Sequence, residues 1–264
     1  MLRRLVRERG VRGALSTVSD YLRWRMKTVV GRRSPLRGEV GRRVEIAQRT
    51  VAAHDPHPHY LEAYRDSERR YWEHIPGWIA EDFGDGAEAC LDVGCAYGTL
   101  MVYCKQVTGA TAYGVDFVPH YMSEALVAAE GLEYAVSNVE LDPIPWDRTF
   151  DIVVMTEVLE HLNFQARPTL EKLAAAMAPG GRFYLSCPDA AAWGPNHRYY
   201  ERYEDLPMPS HDRRGAIIDD HVWHFTQDEL RSVVESAGFE IVRLAHARGD
   251  GSRHFNLTMV PRPG

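Results

Sequence analysis

The residues with the clearest chemical purpose are Leu91-Asp92-Val93-Gly94-Cys95-Ala96-Tyr97-Gly98-Thr99, followed 22 residues after Gly94 by Asp116. A buried strand running into a turn of small residues, with a helix opening at about Gly98, is suited to hold an anionic or polar ligand. The small side chains let the ligand approach the backbone, and the helix N-terminus offers free N–H groups. A turn of this kind also occurs in nicotinamide enzymes. A carboxylate at the end of the next strand accepts hydrogen bonds from both hydroxyls of a ribose. Gly94, Ala96, Gly98 and Asp116 together point to a cofactor that contains adenosine, without saying which.

A second group of residues suits proton transfer. His161 follows the fourth expected strand closely. The segment Cys187–Trp223 is too long for a plain connection and reads as an insertion (188–223) that covers a substrate. It carries Trp193, His197, Tyr199, Tyr200, Tyr203, His211, His221 and Trp223. Histidine titrates near neutral pH, and aromatic faces pack against sugars or rings. His161, His221, His224 and Asp189 are the candidate catalytic residues. No metal is expected: the run His54-Asp55-Pro56-His57-Pro58-His59 contains two prolines that prevent helical presentation. The four cysteines, Cys90, Cys95, Cys104 and Cys187, have no metal-ligand spacing and read as free thiols in a reducing compartment.

These residues need elements to position them. From about residue 88 short apolar runs alternate with helical segments. The runs are Ala89–Val93, Thr111–Val115, Leu132–Val136, Asp151–Met155 and Arg182–Ser186. Pro119 suits the first turn of a helix ending at Ala129, and Pro168 that of a helix over Leu170–Ala178, stopped by Pro179-Gly180-Gly181. Thr226 and Glu229 form a capping box for a helix with Leu230, Val233, Val234 and Ala237 on one face, ended by Gly238. This alternation predicts an α/β fold, a doubly wound and mostly parallel sheet.

The ordered set of motifs resembles the class I S-adenosylmethionine-dependent methyltransferases over roughly residues 86–246. Leu91–Gly98 looks like the family's first motif and Tyr113-Gly114-Val115-Asp116-Phe117 like its second. Asn138-Val139-Glu140 resembles the loop beside the adenine. Phe150–Leu162, containing Thr156-Glu157-Val158-Leu159-Glu160-His161, is similar to the fourth strand and its turn. The resemblance implies seven strands in a Rossmann-like sheet, the last antiparallel within 253–260. It implies S-adenosyl-L-methionine as cofactor, held by Asp92, Gly94, Cys95, Ala96, Gly98, Asp116, Phe117, Asn138, Val139, Glu140, Thr156 and Glu157. Two positions depart from the family pattern. Ala96 stands where glycine is common, and Asn138 where many members carry aspartate. A dehydrogenase would need a pyrophosphate cradle, and Thr99 replaces the third glycine of that form.

Charge divides the chain. Residues 1–49 hold 14 Lys or Arg and 4 Asp or Glu, whereas the remaining 215 residues hold 17 and 33. Apolar residues at Val11, Leu15, Val18, Leu22, Met26 and Val29 have helical spacing. This extension (1–49) is expected to dock on its own domain, to join a second copy as a homodimer, or to lie on an anionic membrane surface. Residues 50–85 read as a helical cap, and 86–264 as the cofactor-binding domain. No spanning helix is expected because no uncharged run approaches 18 residues, no secretory leader because the N-terminus lacks a compact apolar core, and no nucleic-acid partner because the body is acidic. The expected location is cytoplasmic, with peripheral contact to the membrane face. The leading expectation is O-methylation of a saccharide or lipid-linked saccharide in cell-surface polysaccharide synthesis. A soluble small-molecule O- or N-methyltransferase acting on a secondary metabolite or quinone is the alternative. A cofactor-binding protein without catalysis is a third.

Overall fold

The five apolar runs form parallel strands, the central ones buried on both faces and the run at Leu132–Val136 half exposed at the sheet edge. The computed structural model describes residues 36–248 and 253–262, so the helical pattern over 11–29 lies outside the described residues. The strands are β1 (Ala89–Val93), β2 (Thr111–Asp116), β3 (Glu133–Val136), β4 (Phe150–Thr156), β5 (Met177–Pro188), β6 (Phe239–Arg248) and β7 (Arg253–Pro261). Their order is β3-β2-β1-β4-β5-β7-β6, with β7 antiparallel to both β5 and β6. The chain builds outward from β1 through β2 to β3, then returns to place β4 on the other side of β1. A crevice opens where the order reverses, beyond the C-terminal ends of β1 and β4, and ligands bind at such points.

The two faces follow the period of the strand. Ala89, Leu91 and Val93 join Val153, Phe183 and Leu230 in one apolar core. Cys90, Ile152, Val154 and Tyr184 join the opposite core. That core packs under α1 (Gly38–Ala53), α3 (Ile75–Phe83) and α4 (Thr99–Thr108). A π-helical turn at Tyr60–Tyr64 leads into α2 (Arg65–Tyr71). Gly114 in β2 permits the close approach of α4. A Cβ there would meet Met101 Sδ at 2.3 Å and Cys95 Sγ at 2.9 Å.

The remaining helices are α5 (Glu124–Glu130), α6 (Arg167–Ala175), α7 (Ala190–Trp193) and α8 (Gln227–Ser236). The capping box forms: Thr226 Oγ1 accepts from Glu229 N–H, and Glu229 accepts from Thr226 N–H at 2.8 Å. Such caps stabilise a helix by about 1 kcal/mol. Three boundaries differ from the sequence reading. Helix α1 continues through residue 49 into the expected cap, its Val44, Ala47 and Val51 buried. Helix α5 starts after Ser123, whose hydroxyl accepts from Leu126 N–H, and not at Pro119. Helix α6 ends at Ala175 because Met177 pairs with Phe150 and begins β5. Among the described residues no helix is long and apolar enough to cross a membrane.

Candidate active site

The turn after β1 is shaped by three left-handed residues: Gly94 (φ 71°), Ala96 (φ 43°) and Gly98 (φ 81°). A Cβ on Gly94 would meet Val158 Cγ2 at 2.2 Å, so no other residue fits against the turn after β4. Ala96 adopts an unfavourable conformation that its neighbours hold in place. Its N–H donates to Asp116 Oδ2 at 2.9 Å. Asp116 Oδ1 accepts from Val118 N–H at 2.9 Å. The carboxylate that the sequence marks for a ribose therefore also ties β2 to the glycine turn. Burial raises its pKa, while these backbone hydrogen bonds act in the opposite direction.

Three adjoining cavities lie over the crevice. The largest, of about 330 Å3, is bordered by Gly94, Ala96, Asp116, Phe117, Thr156 and Glu157 on one side. Tyr64, Tyr97, Tyr121, Trp193, His59 and Tyr71 form aromatic walls, and His161, His221, Glu160 and His254 provide the remaining polar border. A second cavity is bordered by Phe117, Asn138, Val139 and Glu140. The third is bordered by Asp92, Cys95, Ala96, Thr99 and Glu68. Eleven of the twelve residues expected at the cofactor thus border one continuous crevice region. Gly98 does not border these cavities; it turns the chain into α4.

Several of these side chains point elsewhere than expected. Asn138 Oδ1 accepts from Glu140 N–H at 2.9 Å, so it shapes its own loop. Glu140 turns inward and accepts from the N–H groups of Asn163 (3.1 Å) and Phe164 (2.9 Å). Burial pushes its pKa up to about 7. The Cys95 thiol is buried against Gly114, and burial pushes it well above the ordinary thiol range. All four cysteines are free and buried. Asp92 is raised to about 8 by burial and by the nearby Asp116 and Glu68.

Of the catalytic candidates, His161 and His221 border the large cavity, 4.6 Å apart between ring centroids. His224 stands behind His221: its Nε2 is 2.8 Å from His221 Nδ1, and its Nδ1 is 2.8 Å from the Gly194 carbonyl. His161 Nδ1 lies 3.0 Å from the Asp220 carbonyl. A carbonyl only accepts, so Nδ1 carries the proton in His161 and in His224. His224 Nε2 then accepts from His221 Nδ1–H. The Nε2 atoms of His161 and His221 are left as acceptors. Burial and the two neighbouring imidazoles lower His221 to about 4, and burial lowers His161. Asp189 does not border the cavity. It caps α7 by accepting from Ala191 N–H at 2.8 Å and pairs with Arg253 at 2.8 Å.

Four contributors, Tyr64, Tyr97, His254 and Glu160, were not singled out in the sequence. Tyr64 and Tyr97 come together at 4.9 Å from segments far apart in the chain. His254 on β7 lies with Nδ1 2.8 Å from Glu157 Oε2, and Ser186 Oγ donates to Glu157 Oε1 at 2.8 Å. Glu160 is fully buried in the short helical turn after β4, and neither carboxylate oxygen has a hydrogen-bond partner. Its place in the Glu157–Leu162 turn was the one available signal.

Comparison with known proteins agrees with this geometry. Residues 50–244 match a family model described as a methyltransferase domain. The demethylspheroidene O-methyltransferase of Rhodobacter capsulatus is 26% identical over 156 residues, covering 58% of this chain and 36% of the relative. The mitochondrial ubiquinone biosynthesis O-methyltransferase of Schizosaccharomyces pombe is 36% identical over 103 residues, 36% of each chain. These matches thus span about a third of each relative. An S-adenosylmethionine-dependent methyltransferase from Clostridium acetobutylicum shares the fold with a TM-score of 0.53 and 12% identity, over 77% of this chain and 96% of that one. With the seven-stranded sheet, the glycine turn and Asp116 in place, the chain belongs to the class I S-adenosylmethionine-dependent methyltransferases.

Proposed function

We propose that the chain transfers the methyl group of S-adenosylmethionine to a hydroxyl of a saccharide or lipid-linked saccharide. One observation carries the hydroxyl reading: a single cavity is bordered by the cofactor turn and by His161 and His221, whose Nδ1 atoms are engaged elsewhere and whose Nε2 atoms remain as acceptors. In this reaction the acceptor oxygen attacks the methyl carbon as the carbon–sulfur bond breaks. The sulfur keeps the electron pair, and the hydroxyl proton must leave. Proton acceptors at the cavity wall suit that step, and a placed base contributes roughly 10²–10⁴-fold. Holding the reactants in line contributes about 7–11 kcal/mol in favourable cases. Flat faces from Tyr64, Tyr97, Tyr121 and Trp193, beside Glu157 and Asp219, suit a ring that carries many hydroxyls.

In this reading the enzyme works in the cytoplasm, and the basic residues 1–49 hold it at an anionic membrane surface or join two copies. A second reading, a phenolic or quinone-type acceptor, is favoured by the relatives, whose names place them on ubiquinone and demethylspheroidene. The test supplies methyl-labelled S-adenosylmethionine with glycolipid, soluble-metabolite and macromolecule pools from the host. Label in the glycolipid pool supports the saccharide reading. Label confined to extractable quinones or small phenols overturns it in favour of the second. Cofactor binding with no label in any pool would leave a cofactor-binding protein.

A further inference from the structure

We propose that Glu160, His161 and His221 form a binding site for one divalent transition-metal ion, with Zn2+ the best match to the donors. One ligand atom from each residue lies within 4.8 Å of the other two. The hydrogen bonds around the imidazoles decide which atoms are free. His161 spends its Nδ1–H on the Asp220 carbonyl, and His221 spends its Nδ1–H on His224, which is itself held by the Gly194 carbonyl. Both Nε2 atoms therefore present lone pairs. Ligating histidines are held in this way, with the other ring nitrogen donating to a fixed acceptor.

Glu160 supplies the independent observation. It is 0% exposed, and both carboxylate oxygens are without a hydrogen-bond partner. A buried carboxylate left without a donor is costly. Here it borders the same cavity as two imidazole acceptors, and neither of its oxygens receives a hydrogen bond. Glu157, at the start of the same turn, brings its carboxylate close to Glu160, and two carboxyl groups share such an approach only with a proton or a cation between them. A cation placed between these groups satisfies all of them at once.

The donor set selects the ion. Two imidazole nitrogens and one carboxylate oxygen suit Zn2+ and its transition-metal neighbours. Ca2+ and Mg2+ prefer a shell of oxygens. Bonds of about 2.0–2.1 Å in a tetrahedral site place neighbouring ligands about 3.4 Å apart. Three protein ligands would leave a fourth position for water or an acceptor oxygen. This inference goes beyond methyl transfer: in the loaded state both Nε2 lone pairs are on the ion, so the two histidines accept a proton only in the metal-free state, and metal binding is measured without cofactor or acceptor.

The test uses the full chain, stripped with chelator and titrated with ZnCl2 by calorimetry, then with CoCl2 followed by visible absorption. Wild type is expected to bind one equivalent and to give the intense bands of four-coordinate cobalt. Glu160→Gln, His161→Gln and His221→Gln should each weaken binding at least tenfold and remove those bands. The exposed-loop control His57→Gln/His120→Gln should retain both. Thermal melting in chelator establishes that each variant is folded; if Glu160→Gln is not, the two histidine variants carry the test. Absence of a stoichiometric site in wild type would overturn the proposal. So would retention of one equivalent by the folded His161→Gln/His221→Gln double variant.

Discussion

His221 Nδ1 lies 2.8 Å from His224 Nε2, and this contact fixes which face of His221 meets the cavity. His224 does not border the cavity itself, so its influence passes through its partner. His221→Gln is expected to lower kcat by about 10²-fold or more, the range for a group at the site of proton loss. His224→Leu should cost less, about tenfold, through misorientation of His221. Cofactor affinity should change less than about threefold in both. Steady-state kinetics paired with cofactor titration separates these effects; equal losses in kcat and in cofactor affinity would mean the pair is only part of the fold.

Asp116 serves two purposes that one substitution removes together. Asp116→Ala loses the tie to Ala96 N–H and the acceptors for a ribose diol. Hydrogen bonds to charged groups contribute about 1.5–3 kcal/mol each, so affinity for S-adenosylmethionine should fall by about 10- to 100-fold for one lost bond and further for two. Calorimetric titration measures it. An unchanged dissociation constant would move the cofactor away from Asp116.

Ala96 has φ 43°, a conformation that costs a residue with a Cβ about 1–2 kcal/mol. Ala96→Gly removes that cost, although the more flexible unfolded chain takes back about 0.4–1 kcal/mol. The expected result is a folded state more stable by up to about 1 kcal/mol, read by chemical denaturation. A loss of more than that would show that the Ala96 methyl packs favourably.

Glu68 makes stability depend on pH. Its Oε1 accepts from Gln48 (2.7 Å) and Thr99 (3.1 Å), yet burial raises its pKa to about 7 from the ordinary value of 4.5. The folded chain therefore holds a proton that the unfolded chain releases above about pH 4.5. Stability from this group is full below that pH and is lost as pH rises through about 7, on the order of 3 kcal/mol in all. A glutamine side chain keeps an acceptor at the same place without a charge. Glu68→Gln should therefore gain stability relative to wild type as the pH rises from about 5 to about 8. Parallel profiles for the two proteins in denaturation experiments would contradict this.

Local signals carried most of the frame. Strand β1, the glycine turn and the α8 capping box are each written in neighbouring residues, and each occupies the expected span. What could not be read depends on pairing between distant segments. The contact of Tyr64 with Tyr97 requires the cap to fold over the turn after β1. Met177 looks like the end of a helix until Phe150 pairs with it. Asp189 follows β5 at a position suited to catalysis, but Ala191 N–H and Arg253 take its carboxylate. Glu160 and His161 are adjacent in sequence, and only the folded turn sends the carboxylate into the interior.

The most direct test of the account is the identity of the methylated atom. The full chain is incubated with 13C-methyl S-adenosylmethionine and the acceptor pool that takes up label, and the product carbon is observed by NMR. The expected product is a methyl ether, formed about 10²-fold more slowly when His221→Gln replaces wild type. A methylamine or thioether signal would contradict transfer to a hydroxyl.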